Sequence, residues 1–270
     1  MIKIVDTTLR DGEQRPGISL GFQEKITIAK LLDKLNVYQI EVGIPAMDGS
    51  EKRAIQKIAE LGLKSKILVW NRLSISDLDH SFECGNVCIH ISVPSSDIQI
   101  NHKLKKDRYW VIENLKKCAD YVKSKGYSLS IGLEDASRAD FNFICELIKI
   151  SCEFEVEKIR YADTVGILYR EATYENIKKI KEYFNVDVEF HAHNDFGMAV
   201  SNSIAAVYAG AKYIDCTIGG IGERAGNCDY YKFISACQKR FNCFNNIEKR
   251  MIKKIQNHIE RIIAINNFVA

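Results

Sequence analysis

"VDVEFHAHNDFG", residues 186–197, begins as a strand-like run of β-branched and aromatic residues and ends in polar groups. Side chains two apart on a strand point to the same side, so His191 and His193 face one way, with Asn194 and Asp195 just beyond. The chain has only six histidines, and two stand together where a buried strand gives way to a loop.

Seven other short runs have the same form. They are "IKIVD" (2–6), "YQIEVG" (38–43), "KILVW" (66–70), "VCIHISV" (87–93), "SLSIGLE" (128–134), "KIRYAD" (158–163) and "YIDCTI" (213–218). Amphipathic windows separate them. In "FQEKITIAKLLDKLN" (22–36), Ile26, Ala29, Leu32 and Leu35 recur as one helix face would. Eight strand–helix alternations in about 240 residues predict an α/β fold of the (β/α)8 TIM-barrel type. A doubly wound open sheet is the second choice. No GxGxxG follows the first strand and no GxxxxGK[ST] occurs, which disfavours its nucleotide-binding forms. The three prolines, Pro16, Pro45 and Pro94, are expected in loops after strands.

The expected division is a catalytic barrel over 1–244 and a helical extension over 245–270. "NNIEKRMIKKIQNHIERIIAINNFVA" predicts one helix with Ile247, Met251, Ile255, Ile259, Ile262 and Ile263 on a single face. Such a helix packs on its own domain or presents that face to a partner.

Composition narrows the function. With 38 basic and 35 acidic side chains, the net charge of +3 gives no footprint for nucleic acid or a membrane surface. Nine cysteines, an odd number without paired CxxC units, fit reduced thiols better than a disulfide framework or a zinc ribbon. No signal-peptide pattern opens the chain and no apolar run approaches the ~18 residues of a membrane span. A cytoplasmic location is expected.

In a barrel of this type, chemistry sits at the C-terminal ends of the strands. There stand "DTTLRDGEQRPG" (6–17), "GIPAMDGSE" (43–51), His90 and Ser92 with "PSSD" (94–97), "LEDASRAD" (133–140), "ADTVG" (162–166), "HAHNDFG" (191–197) and "GGIGERAGN" (219–227). A lone Asp in such a place commonly caps the next helix, and a glycine-rich loop is commonly only a turn. Polar loops on at least five strands at the same end indicate a site. Barrel closure makes the first, seventh and eighth strands neighbours, so Asp11, His191, His193 and Asn227 can meet. Two imidazoles with oxygen ligands suit a divalent ion with open positions, such as Mn²⁺, Mg²⁺, Zn²⁺ or Fe²⁺. Those positions would take a bidentate 2-oxo acid, with the ion as Lewis acid. Arg10 would stabilise the oxygen that gains charge, and Glu134 would act as or support the base.

"DTTLRDGEQRPG", "HAHNDFG" and "GIGERAGN" are similar to signatures of the metal-dependent barrel enzymes that include homocitrate, isopropylmalate and citramalate synthases and hydroxymethylglutaryl-CoA lyase. The resemblance runs from about residue 2 to 245. Within that group, "EVGIPAM" (41–47), "VPSSDIQINHKLKKDRYW" (93–110), "GLEDASRAD" (132–140) and "RYADTVGIL" (160–168) resemble homocitrate synthase of the nitrogen-fixation type, an enzyme of FeMo cofactor biosynthesis. The resemblance implies condensation of acetyl-CoA with 2-oxoglutarate to (R)-homocitrate and CoA. It implies Asp11, His191 and His193 as metal ligands, with Asn227 a weaker fourth. Arg10 and Glu134 become catalytic, and Arg10, Gln14, Glu41 and Thr164 belong to the substrate pocket. Isopropylmalate or citramalate synthase activity, or a lyase running the reverse type of bond cleavage, is the alternative. A lyase would carry a cysteine inside the glycine run, whereas Cys228 lies past it. A non-catalytic binding subunit is a third class, and the intact set of polar residues speaks against it.

Two departures stand out. Lysine-pathway homocitrate synthases hold the distal carboxylate with a basic residue four positions before the glutamate. Here that place is Ser130, which leaves Arg138 and Arg160 as candidates. The synthases also continue into a lid that supplies a histidine in a stretch resembling F-x-H-x-x-G-I-H. After the barrel, this sequence has only His258, in "KIQNHIERI" (254–262). In some clostridia the synthase is divided between two polypeptides. The expectation is therefore an oligomer in which a second subunit supplies the lid and its histidine.

Overall fold

The computed structural model describes residues 1–241, 243–244 and 247–266. Eight parallel strands close into a barrel in sequence order: β1 (Lys3–Asp6), β2 (Gln39–Glu41), β3 (Lys66–Arg72), β4 (Cys88–Pro94), β5 (Leu129–Glu134), β6 (Ile159–Asp163), β7 (Val188–Ala192) and β8 (Tyr213–Cys216). Helices follow each strand: α1 (Phe22–Asp33), α2 (Gly49–Ala59), α3 (Ile75–Phe82), α4 (Arg108–Ser124), α5 (Phe141–Glu153), α6 (Arg170–Tyr183), α7 (Ala199–Tyr208) and α8 (Tyr230–Arg240). The expected TIM barrel is the fold, and every predicted strand overlaps an observed one. Pro94 differs from expectation. It is the last residue of β4 rather than a loop residue, a strand end where the missing N–H is tolerated.

Apolar side chains between strands and helices form one continuous core, including Ile28 and Leu32 of α1, Ile91 of β4 and Leu147 of α5. The barrel interior is different in character. Arg160 on β6 and Lys158 just before that strand are buried there among Gln39, Glu41, Glu189 and Asp215. Lys158 Nζ donates to Gln39 Oε1 at 2.6 Å and pairs with Glu189. Arg160 bridges Glu41 (Nη2 to Oε2, 2.6 Å), Glu189 and Asp215 (Nε to Oδ2, 3.2 Å). Buried charges persist when paired in this way.

Beyond the barrel, α9 (Lys249–Asn266) packs against α1, α8 and the turn after β8. Ile247, Ile252, Ile255 and Ile259 join the barrel's own core cluster. The stripe expected from the sequence is rotated at one point. Met251 is 45% exposed, and Ile252 is completely buried in its place. Ile255 lies four residues from Met251 and three from Ile252, so helix spacing allows either, and the docking of α9 selects Ile252. Residues 245–246 and 267–270 of the expected extension lie outside the described residues. Among the described residues, no helix is long and apolar enough to cross a membrane.

Candidate metal centre and active site

The register of β7 on β8 pairs Phe190 with Ile214, and the next residue on each strand brings His191 beside Asp215. His191 Nδ1 lies 2.8 Å from Asp215 Oδ2. This contact fixes the ring and leaves Nε2 aimed at the mouth of the barrel. There it stands 3.4 Å from Asp11 Oδ2 and 3.3 Å from His193 Nε2. His193 Nε2 is 3.8 Å from the same Asp11 oxygen. Asp11, His191 and His193 are all buried, and one ligand atom from each lies within 4.8 Å of the others.

Two imidazole nitrogens and a carboxylate oxygen so close together need a proton or a cation between them. Burial disfavours charge on His191, but Asp11 and Asp215 outweigh it and push its pKa up to about 9. Burial and the neighbouring His191 bring His193 down to about 4. Asp11 is also buried, yet Arg10 and the two histidines hold its carboxyl well below the usual carboxylate range. The fourth sequence-predicted ligand, Asn227, sits behind Asp11. Its Nδ2 donates to Asp11 Oδ1 at 2.7 Å and to Ile221 O at 3.0 Å. Asn227 Oδ1 and His193 Nδ1 are buried and have no hydrogen-bond partner among the described residues. The backbone of Asn227 bridges His193. Gly222 packs so tightly on this pair, at φ 154°, that any side chain there would overlap Asn227. A hard or borderline divalent ion fits this donor set, with Asp11, His191 and His193 as its first ligands.

A cavity of about 530 Å³ opens over the cluster, lined among others by Arg10, Gln14, Trp70, His90, Glu134 and Thr164. Arg10 Nη1 donates to Asp11 Oδ2 at 3.0 Å and to exposed Gln14 Oε1 at 3.3 Å. Its Nε donates to Glu41. Glu41 is fully buried and does not line the cavity. It also accepts from Thr7 Oγ1 at 3.1 Å. Burial raises the Glu41 pKa, but Arg10 and Arg160 overcome that and hold it far below its ordinary value. Glu41 therefore orients Arg10 from beneath.

On the opposite wall, Glu134 ends β5. Its Oε1 accepts from Gln99 Nε2 (2.8 Å) and Lys103 Nζ (3.2 Å), and its Oε2 from Ser92 Oγ (3.1 Å). Thr164 Oγ1 accepts from the Asp135 N–H at 2.8 Å. His90 Nδ1 contacts Ser130 Oγ at 2.9 Å, and Gly132 leaves the space its ring occupies. The candidates for the distal carboxylate are both engaged. Arg138 grips Asp135 through three hydrogen bonds and does not line the cavity. Arg160 lines the cavity and is held by three carboxylates. Asp215, Gln99 and Lys103 had no role in the sequence reading. Strand parity could have found Asp215, since it follows Tyr213 by two on β8. Gln99 and Lys103 act from a π-helical turn, Ile98–Lys103, whose shape no residue pattern announces.

The barrel and the His–His–Asp cluster define an enzyme fold with a candidate divalent-metal site at the C-terminal face. The HMGL-like family model matches residues 1–267, and the chain belongs to that family. It is 52% identical over 267 residues to homocitrate synthase subunit alpha of Clostridium pasteurianum, covering 98% of this chain and 99% of that one. It is 43% identical to 2-isopropylmalate synthase 2 of Caldanaerobacter subterraneus subsp. tengcongensis, over 96% of this chain and 67% of the relative. Homocitrate synthase 1 of Nostoc sp. is 42% identical, over 88% of this chain and 63% of the relative. Among solved structures, the hydroxymethylglutaryl-CoA lyase of Bacillus subtilis superposes with a TM-score of 0.85 at 16% identity, over 97% of this chain and 94% of that one. That likeness is one of fold.

Proposed function

We propose that the protein condenses acetyl-CoA with 2-oxoglutarate to give (R)-homocitrate and CoA, as one chain of a two-chain enzyme. The observation that carries the catalytic part is the convergence of Asp11, His191 and His193 under a cavity walled by Arg10 on one side and Glu134 on the other. A divalent ion held by these three residues would supply Lewis-acid polarisation of a 2-oxo acid. Arg10 places a fixed positive charge beside the oxygen that gains charge in the transition state, and Glu41 holds its guanidinium in that orientation. Glu134, braced by Ser92, Gln99 and Lys103, is placed to take the proton from the acetyl methyl. Thr164 and Gln14 line the same cavity and offer polar contacts to the oxo acid. The choice of 2-oxoglutarate follows the relatives named homocitrate synthase.

The two-chain part has its own support. The Nostoc relative extends well beyond the matched region, whereas the Clostridium relative that this chain matches end to end is named a subunit. Exposed apolar side chains also stand in the segments that follow strands on the C-terminal face: Met47, Ile98, Tyr109, Ile167, Tyr169 and Phe196. Exposed apolar side chains on that face suit a covering polypeptide. The test is to measure homocitrate and CoA release by the metal-loaded chain alone and with candidate partner polypeptides. Turnover that appears only with a partner is expected. Full turnover by the isolated chain would remove the two-chain reading, and absence of homocitrate under both conditions would remove the reaction.

A further inference from the structure

The cavity above Asp11, His191 and His193 has the size of a single small ligand, about 530 Å³. An oxo acid and the acetyl group fill such a space, so the nucleotide half of a CoA thioester must lie on the rim. Its phosphates need cations there, and most rim cations are neutralised. Arg72 forms a bidentate pair with Asp77 (2.8 and 2.8 Å). Arg224 pairs with Asp195 (2.8 and 3.0 Å), and Arg108 pairs with Asp97 (2.8 and 2.7 Å). Lys103 is directed at Glu134. Arg15 lies in a separate cleft that it shares with Glu260 of α9.

Lys105 and Lys106 differ. Neither has a carboxylate partner among the described residues, and both are exposed. They directly follow Lys103 and Leu104, which line the cavity. The ammonium of Lys106 sits 5.5 Å from the ring centroid of Trp110, another cavity-lining residue. The segment is held in place: Leu104 N–H donates to Gln99 O and Lys106 N–H to Ile100 O, each at 3.0 Å. Lys105 has a left-handed φ of 55°, as the residue just past the end of a helical turn commonly does. The N-terminus of α4 is capped by its own acid, Asp107, which accepts from Trp110 N–H at 2.7 Å, so the lysine side chains are the charges left for a ligand.

We propose that Lys105 and Lys106 form the subsite for the phosphates of the CoA thioester, at the outer edge of the cavity wall made by Lys103, Leu104 and Trp110. This rests on the acetyl-CoA reading above and adds where the carrier's charged half docks.

The experiment is calorimetric titration of the chain, loaded with Mn²⁺ and 2-oxoglutarate, with CoA and separately with pantetheine, which carries the thiol arm without phosphates. Wild type is expected to bind CoA more tightly than pantetheine, with the difference shrinking as salt rises. The double variant Lys105→Ala/Lys106→Ala is expected to lose about tenfold or more in CoA affinity and nothing in pantetheine affinity. Unchanged melting temperature and 2-oxoglutarate binding show that the variant is folded. CoA binding equal in variant and wild type, with wild type still preferring CoA, overturns the subsite while leaving the reaction standing. No CoA binding by wild type overturns the acetyl-CoA reading and the subsite with it.

Discussion

His191 and Asp215 stand on adjacent strands with Nδ1 and Oδ2 2.8 Å apart, and this contact decides which nitrogen of His191 faces the candidate metal centre. Asp215→Asn keeps the shape but removes the charge that supports the ring. Weakening of Mn²⁺ affinity by about ten- to a hundredfold is expected, measured by calorimetry on the metal-stripped chain. Unchanged affinity would mean that the ring is oriented by something else.

The ligand cluster should also tie metal to stability. Free ion at about a hundred times its dissociation constant adds about 2.7 kcal/mol to a folded state that alone binds it. Chelation is therefore expected to lower the melting temperature of wild type. In Asp11→Asn and His193→Ala the chelator should have almost no effect.

A different carboxylate governs pH. Asp6 on β1 is fully buried; Thr8 N–H donates to its Oδ1 at 2.9 Å, and Oδ2 has no hydrogen-bond partner among the described residues. Burial pushes its pKa from 3.8 up to about 7. The folded state therefore holds this proton over a range in which the unfolded chain has released it. Stability from this group is fully present below pH 3.8, falls as pH rises, and is lost once pH passes about 7. The whole loss is up to about 4 kcal/mol. Asp6→Asn keeps the acceptor and removes the titration. It is expected to be more stable than wild type at pH 8, with the advantage disappearing toward pH 4 in urea melts. A pH-independent difference would count against this assignment.

The terminal helix offers a packing test. Ile252 and Ile259 are completely buried against the barrel, and Met251, one residue away, is 45% exposed. Ile252→Ala and Ile259→Ala are each expected to cost about 2–5 kcal/mol. Met251→Ala should stay within about 0.5 kcal/mol. Equal small effects at all three would mean that α9 is not part of the folded core.

Much of this architecture is legible in the residue order. Eight β-branched runs with polar ends imply a barrel and its working face, because period-two alternation and strand-end loops are local properties. Asp11, His191, His193 and Asn227 could be grouped because barrel closure brings their strands together. The supports were harder to read. Arg160, a candidate anchor for substrate, lines the cavity, but its guanidinium is engaged with Glu41, Glu189 and Asp215 inside the barrel. Glu41 was assigned to the pocket and lies beneath Arg10 instead. Both depend on which way a side chain leans from its strand and on partners 29 to 119 residues away in sequence. Met251 and Ile252 were exchanged because both are apolar and one residue apart, so only the docking of α9 on α1 and α8 separates them.

The central claim is that Asp11, His191 and His193 build a metal-dependent site for a 2-oxo acid of 2-oxoglutarate type. It is tested most directly by calorimetric titration of 2-oxoglutarate, pyruvate and 2-oxoisovalerate into the chain with Mn²⁺ and into the metal-stripped chain. The account predicts binding only with metal, and tightest for 2-oxoglutarate. Equal binding without metal would contradict the site, and tighter binding of 2-oxoisovalerate would contradict the substrate.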